Sequence, residues 1–173
     1  MAIRKIIKDS EPEIRTISEE VKEIDDPILQ ISQDMKDTLA TTEGVGISAI
    51  QIGEAKRIIY VHYEGKEYTL INPMIVNQIG KMVDSEGCLS VKQEGYEYIC
   101  GDVERSFIIE VEGLNIEGEK IHVVADGMLA RIFEHEIDHL NGILYTDKII
   151  GNLRKFKTKE EKEQNERKTN KEK

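Results

Sequence analysis

The sequence predicts an α+β fold, with mostly antiparallel strands packed around one central helix and a second helix near the N-terminus. Three observations support this prediction. Apolar residues recur at helical spacing in two long segments, the residues between these segments form short β-like runs separated by turns, and no internal repeat is present. Hydrophobic residues make up 39% of the 173 residues, which is enough for a single domain with its own core.

The N-terminal helix is predicted to begin at Asp26-Pro27 and to end near Thr41. Asp26 is assigned to the N-cap and Pro27 to the first helical position, a combination that favours a helix start. A glycine-rich segment, T-E-G-V-G-I-S-A-I-Q-I-G, follows and is expected to form a loop that enters an extended segment. The apolar residues of the helix recur every three or four positions, at Ile28, Ile31, Met35 and Leu39.

The central helix is predicted to run from Asp126, as its N-cap, to about Leu140, with Gly142 at the C′ position that commonly ends helices. Between the two helices, runs rich in β-branched and aromatic residues predict strands. The predicted strands are Arg57–Tyr63, Glu67–Asn72, Ile75–Val83, Tyr96–Cys100, Ser106–Ile116 and Lys120–Val124.

Charge separates an acidic body from a mildly basic tail. Residues 151–173 contain nine Lys or Arg and five Glu, a net charge of +4. Because the whole chain has a net charge of −10, residues 1–150 have a net charge of −14. We predict a single domain over residues 1–150 and a charged tail over residues 151–173 that is partly helical or disordered. The acidic body argues against DNA binding. No apolar run approaches a membrane span and no signal peptide is recognisable, so a cytoplasmic protein without membrane contact is expected.

The nine residues E-H-E-I-D-H-L-N-G, 134–142, contain the strongest chemical motif. His135 and His139 are four residues apart on the predicted central helix, so both imidazoles can bind one metal ion, with Glu136 beside a water on that ion. Met128 and Ile132 belong to the same stripe as the two histidines, so this helix face is predicted to be buried. The alternative is that two partly buried histidines lie on an ordinary amphipathic helix.

A catalytic metal site usually takes three protein ligands, so a third ligand is needed. The longer motif H-E-x-x-H-x-x-G-x-x-H is excluded, because Tyr145 stands where its third histidine would be. The Lys/Glu-rich tail has no apolar core to hold a ligand rigidly, so the third ligand is sought upstream. Cys88, in D-S-E-G-C-L-S, is the candidate. A lone cysteine can equally be a small buried apolar residue, as is expected for Cys100.

The glycine-rich segment contains a third pattern. Gly44 and Gly46 permit close approach of the backbone to a ligand, and the Gln51 amide offers hydrogen-bond donors. A glycine-rich turn that leads into a strand explains the same residues without any ligand. The segment lacks the spacing of phosphate-binding loops, so nucleotide binding is not favoured.

Taken together, the three segments resemble the peptide deformylase family. Its motifs G-x-G-Φ-A-A-x-Q, E-G-C-Φ-S and H-E-x-D-H correspond in order to G-V-G-I-S-A-I-Q (44–51), E-G-C-L-S (86–90) and H-E-I-D-H (135–139). The second and third match fully, whereas Ile47 and Ser48 differ from the usual residues of the first. The resemblance covers roughly residues 3–149. It implies a metal-dependent hydrolase that removes the N-formyl group from the N-terminal methionine of nascent peptides and releases formate.

The resemblance also implies roles for individual residues. Cys88, His135 and His139 would hold one divalent metal ion, and Glu136 would be the general acid/base. The Gln51 side chain and the Leu89 backbone N–H would stabilise the developing oxyanion. The resemblance favours Fe²⁺, while Zn²⁺, Ni²⁺ and Co²⁺ suit the same donors. The residues expected to bind substrate are Val45, Gly46, Met128, Ile132 and Arg105.

Four other features lead to further expectations. Asp138 could orient a metal ligand or face solvent, and Glu134, where the family usually has Gln, could raise the pKa of Glu136. The segment between Ser90 and Arg105 is longer than usual and lacks the usual proline. The basic tail could contact the ribosome transiently. Two alternatives remain open: another metal-dependent amidase or aminopeptidase, and a binding protein that keeps its metal only for structure.

Overall fold

The computed structural model describes residues 2–169 and confirms the α+β class with mostly antiparallel strands. The helices are α1 (Asp26–Leu39), α2 (Gly127–Leu140) and α3 (Lys159–Thr169), and short 3₁₀ turns lie at Pro12–Arg15, Ala49–Ile52 and Tyr145–Asp147. The strands are β1 (Gly46–Ser48), β2 (Ile58–Tyr63), β3 (Lys66–Ile79), β4 (Met82–Gly87), β5 (Tyr98–Arg105), β6 (Ile108–Leu114), β7 (Lys120–Asp126) and β8 (Ile149–Phe156).

The strands form two antiparallel sheets. One has five strands in the order β1-β2-β3-β6-β7, and the other has three in the order β4-β5-β8. Strands β1 and β4 are therefore edge strands of different sheets. Their free edges matter because an extended peptide can pair with an exposed strand edge.

Helix α2 packs its apolar face on the five-stranded sheet. Ala130, Ile132, Phe133, Ile137 and Leu140 join one buried cluster with residues of β2, β3, β6 and β7. Helix α1 packs against β1 and β2 through a second cluster that includes Met35 and Leu39. Burial of these side chains is what fixes α2 relative to the sheet, since apolar burial stabilises by about 25 cal/mol per Å².

The helix boundaries differ slightly from prediction. Asp25, rather than Asp26, is the N-cap of α1, and its side chain accepts a hydrogen bond from the Ile28 N–H at 3.1 Å. The two adjacent aspartates cannot be told apart by pattern alone. Asp126 does occupy the N-cap position of α2, but its side chain makes no capping hydrogen bond. Gly142, with φ +70°, follows the C-cap Asn141 as predicted.

The strand predictions need three corrections. The run predicted as one strand over Ile75–Val83 is divided at Gly80: its first part ends β3, and Met82 and Val83 begin β4 in the other sheet. The runs predicted as separate strands on either side of Pro73 form one strand, β3, which passes the proline with shifts of register between Ile71 and Asn77. Strand β8 was not predicted, and the predicted boundary at residue 150 falls inside it. Residues 151–156 thus belong to a strand paired with β5. No helix within residues 2–169 is long and apolar enough to cross a membrane.

Candidate metal centre and peptide site

Three segments converge at the site. Helix α2 contributes His135, Glu136 and His139, the turn after β4 contributes Cys88 and Leu89, and the 3₁₀ turn after β1 contributes Gln51. The ends of both sheets thus meet α2 at one place. Each of the three sequence motifs contributes residues to this place.

The predicted ligand atoms lie close enough together for one metal ion. One ligand atom each from Cys88, His135 and His139 lies within 4.8 Å of the others, and Cys88 Sγ is 3.3 Å from His139 Nε2. Burial opposes ionisation of Cys88, but attraction and hydrogen bonding to the two imidazoles outweigh burial and hold the pKa of this thiol well below its ordinary value. A thiolate with two imidazoles suits Zn²⁺ or Fe²⁺.

A buried carboxylate, Glu86, orients the first histidine. His135 Nδ1 lies 3.0 Å from Glu86 Oε2, which leaves Nε2 for a metal ion. Burial alone would raise the pKa of Glu86, but hydrogen bonds from Arg105 and His135 hold it well below its usual range. His139 has no such carboxylate partner: its Nδ1 is buried without a hydrogen bond among the described residues, so packing and the contact of Nε2 with Cys88 Sγ orient this fully buried ring.

Two arginines neutralise Glu86. Arg105 donates from Nε to Oε1 at 2.8 Å and from Nη2 to Oε2 at 3.0 Å. Arg131 donates to Oε1 from Nη1, which also binds the Val103 carbonyl at 3.0 Å. The cluster consists of four almost fully buried side chains, Glu86, Arg105, Arg131 and His135. Removing one partner of such a cluster leaves an uncompensated charge.

Glu136 is placed as a general base would be. It is 4% exposed, and its Oε2 has no hydrogen-bond partner among the described residues, which fits a carboxylate that awaits a water molecule on a neighbouring metal ion. Burial is the main cause that raises the pKa of Glu136 to about 7. Such a pKa suits a group that takes up and returns a proton near neutral pH.

Gly46 makes room for Glu136. A Cβ atom on Gly46 would lie 2.6 Å from Glu136 Oε1, a distance that real Cβ atoms do not tolerate. Its φ is not in the left-handed region, so the reason for glycine here is space and not backbone conformation. The first and third motifs therefore depend on each other: the glycine in β1 determines where the carboxylate on α2 can lie.

The Gln51 amide is held in one orientation. Its Oε1 accepts hydrogen bonds from the Ser48 N–H at 2.9 Å and the Ser48 hydroxyl at 3.1 Å. Its Nε2 then points to Ser90 Oγ at 3.1 Å and to Cys88 Sγ at 3.6 Å. Residue 48 thus fixes the direction of the amide: its N–H would be present with any residue, and the serine, a departure from the family pattern, adds the hydroxyl contact. The Leu89 N–H nearby has no hydrogen-bond acceptor among the described residues.

A cavity of about 180 Å³ adjoins the predicted ligands. Four of the five predicted substrate-binding residues line it. They are Val45, Gly46, Met128 and Ile132. Met128 and Val45 are about two-fifths exposed at its mouth, whereas Ile132 is buried. The apolar side chains of its lining, Val45, Leu89, Met128 and Ile132, suit an apolar substrate side chain.

Three residues lie in other surroundings than the sequence analysis expected. Arg105 does not line this cavity, because its guanidinium is buried against Glu86 and Asp138. Asp138 orients no histidine; it accepts hydrogen bonds from Arg105 and from Lys148. The Glu134 carboxylate faces away from Glu136 and accepts from the Ser106 N–H at 2.9 Å. The sequence analysis expected Arg105 to bind substrate and Glu134 to act on Glu136. Both side chains make other contacts instead.

Arg131 and the histidine-orienting role of Glu86 were missed by the sequence analysis. Arg131 interrupts the apolar face of α2 between Ala130 and Ile132, and a cation on a buried face signals that a buried carboxylate faces it. Tyr145, considered only as a failed ligand, packs behind the site: its ring stacks on His135 at 6.1 Å and its hydroxyl donates to the Ile99 carbonyl at 3.0 Å.

Comparisons with known proteins agree with this arrangement. The family profile for polypeptide deformylase matches residues 3–155. The chain belongs to the polypeptide deformylase family. Peptide deformylase of Carboxydothermus hydrogenoformans is 42% identical over 155 residues, which cover 90% of this chain and 99% of that protein.

Solved structures of the family are similar over most of the fold. The peptide deformylase of Thermotoga maritima superimposes with a TM-score of 0.81 at 30% identity and covers 87% of this chain and 100% of its own. An actinonin-bound class I type b peptide deformylase of Acinetobacter baumannii superimposes with a TM-score of 0.79 at 32% identity. The match covers 87% of this chain and 100% of that chain. The family removes the N-formyl group from nascent peptides and depends on a metal.

Gly46→Ala should displace the Glu136 carboxylate and lower kcat by at least about 100-fold, because a shift of about 1 Å in a catalytic group costs this much. Formate release by the metal-loaded variant measures the effect. Gly44→Ala is the matched control, since the added methyl group there meets the flexible end of Leu89 at 2.9 Å. Equal losses in both variants would contradict the proposed need for space.

Glu86→Gln should weaken metal binding by about 10- to 100-fold, because His135 loses a charged acceptor, Arg131 loses its carboxylate partner and Arg105 keeps only Asp138. Competition with a chromophoric chelator measures the affinity, and circular dichroism checks the fold. Glu104→Gln, on neighbouring β5 but half-exposed and paired only with Lys81, serves as control. An unchanged affinity in Glu86→Gln would show that this carboxylate does not support the ligand.

Proposed function

We propose that Cys88, His135 and His139 hold one divalent ion and that Glu136 is the acid/base group of the family reaction in this chain. The observation that carries the proposal is the meeting of three ligand atoms with a buried, unpartnered carboxylate oxygen on Glu136. A bound divalent ion would lower the pKa of a water molecule and polarise the formyl carbonyl group. A purely structural metal site has no need of Glu136.

Glu136 takes a proton from the attacking water and later delivers it to the departing amine. Its raised pKa, about 7, lets it hold the proton between these two events. The carboxylate must be ionised to take the first proton, and the positive charge of an ion held by Cys88, His135 and His139 would favour that form. Because Glu136 is only 4% exposed, few water molecules compete for the transferred proton.

The oxygen of the formyl group gains negative charge during attack, and two donors are placed to receive it. The Gln51 amide is fixed by Ser48 and directs Nε2 toward Cys88. The Leu89 N–H, which has no acceptor within the described part of the chain, lies on the residue after Cys88. Donors fixed before the reaction stabilise such charge without reorganisation, and the loss of one typically costs about 100- to 1000-fold in kcat.

The peptide is expected to lie extended between the two sheets. Edge strand β1 contains Gly46, and edge strand β4 ends at Gly87, next to Cys88. An extended peptide can pair with such edges while alternate side chains enter pockets. The methionine side chain would then fill the cavity lined by Val45, Met128 and Ile132.

The donor set accepts several ions, among which we propose Fe²⁺ in the cell, with Zn²⁺, Ni²⁺ or Co²⁺ as alternatives. A soft thiolate with imidazoles does not discriminate strongly between these ions, so the availability of each ion and the oxidation of Cys88 decide activity.

Because the substrate arises during translation, we propose a cytoplasmic location, with the basic Lys/Arg groups of the C-terminal segment available for transient ribosome contact.

Glu136→Gln should keep the bound metal yet abolish detectable formate release from formyl-Met-Ala-Ser, because the amide cannot accept the proton. The assay compares formylated and acetylated peptides under anaerobic conditions, and elemental analysis verifies metal content. Glu134→Gln is the matched control, since its carboxylate binds Ser106 and Gln78 instead. Turnover by Glu136→Gln would overturn the assignment, and equal cleavage of acetylated peptide by the wild type would indicate a broader amidase.

A further inference from the structure

A second groove, about 610 Å³ in volume, continues from the metal centre. It shares five consecutive residues with the first cavity, 85–89, so the two spaces meet along the turn that contains Cys88. Its other wall includes Glu43 from the loop before β1, Tyr98 of β5, and two residues of the C-terminal helix, Lys162 and Glu166. Part of the segment assigned to the tail thus borders the site.

The pairing of β8 explains why the helix lies there. Phe156, the last residue of β8, is the partner of Tyr98 in β5, and the Phe156 carbonyl accepts a hydrogen bond from the Glu97 N–H at 3.0 Å. Only two residues separate Phe156 from the first residue of α3. Helix α3 must therefore begin beside Tyr98, at the edge of the groove.

Contacts across the groove mouth hold α3. Lys159 Nζ pairs with Glu43 at 3.1 Å, and Glu43 also accepts a hydrogen bond from the Tyr98 hydroxyl at 3.0 Å. Lys162 Nζ lies 5.1 Å from the centre of the Tyr98 ring and 3.8 Å from the Glu166 carboxylate. The helix thus touches the loop that contains the first motif and the strand that follows the second.

The helix has its own local supports but no apolar core. Thr158 Oγ1 accepts a hydrogen bond from the Glu161 N–H at 3.3 Å, and the Glu161 side chain accepts from the Lys157 N–H at 2.8 Å, an arrangement similar to a capping box. Its i,i+4 pairs and its exposed ion pairs each contribute little. A ligand in the groove would therefore add contacts that α3 itself lacks.

We propose that α3 forms one wall of the groove that binds the peptide residues following the formylated methionine. This rests on the proposed function, because the occupant is the remainder of the same extended peptide. The proposal rests on the continuity of the groove with the first cavity. The groove starts at Gly87, Cys88 and Leu89, where the first peptide residue would be bound, and ends between Tyr98 and α3. The helix is thus a substrate-binding element that acts only on peptides long enough to reach it.

A comparison of peptide lengths tests this role. The double variant Lys159→Ala/Lys162→Ala should raise KM for formyl-Met-Ala-Ser-Ala-Ala about two- to fivefold, which is the scale of a few exposed contacts. kcat should stay unchanged, and KM for formyl-Met-Ala should change less than the KM for the longer peptide. Lys168→Ala, an exposed residue of the same helix that does not line the groove, is the control.

Equal changes of KM for both peptides, or no change for either, would overturn the proposal. Photocrosslinking provides a readout independent of turnover. A formyl-Met peptide with benzoylphenylalanine at its fourth position should crosslink to residues 159–169 of the wild-type protein, as mapped by mass spectrometry. Crosslinks confined to other segments would reject the groove wall. Absent formate release from both peptides by the wild type, with crosslinking to α3 retained, would refute the proposed function but not the groove.

Discussion

The buried carboxylate of Glu86 is the interaction on which the rest of the site depends. It joins three elements, since it lies on β4, accepts hydrogen bonds from Arg105 on β5, and contacts both Arg131 and His135 on α2. A carboxylate this deeply buried is tolerated only because two guanidinium groups compensate it. The same compensation prevents it from taking the proton of His135 and thereby keeps the other ring nitrogen available as a ligand.

This constraint explains how two separate sheets form one site. Cys88 follows Glu86 by two residues, so whatever fixes the carboxylate against α2 also brings the thiol to the histidines. On the opposite side, β1 approaches α2 so closely that only a glycine at position 46 leaves space for Glu136. The site is therefore a narrow gap between two strand edges, closed on its floor by one helix. Such a gap can hold an extended peptide and exclude bulk water.

Much of this could be predicted from sequence because it is local. The spacing of His135 and His139 on a helix, and the glycine that ends that helix, follow from helical geometry alone. What escaped prediction depends on contacts between distant residues. Strand β8, I-I-G-N-L-R-K-F, has no fully buried residue and no regular alternation of apolar and polar residues, and only its pairing with β5 makes it a strand. Likewise, Arg105 could be expected near the site, but its burial against Glu86 and Asp138 depends on how β5 packs on α2.

The arrangement of Cys88, His135 and His139 predicts one thiolate and two imidazoles on a single ion. X-ray absorption spectroscopy of the anaerobically purified, metal-loaded protein tests it most directly. With zinc bound, we expect one sulfur scatterer at about 2.3 Å and two imidazole nitrogens at about 2.0–2.1 Å. A first shell of oxygen and nitrogen without sulfur would contradict it, because Cys88 would then not be a ligand.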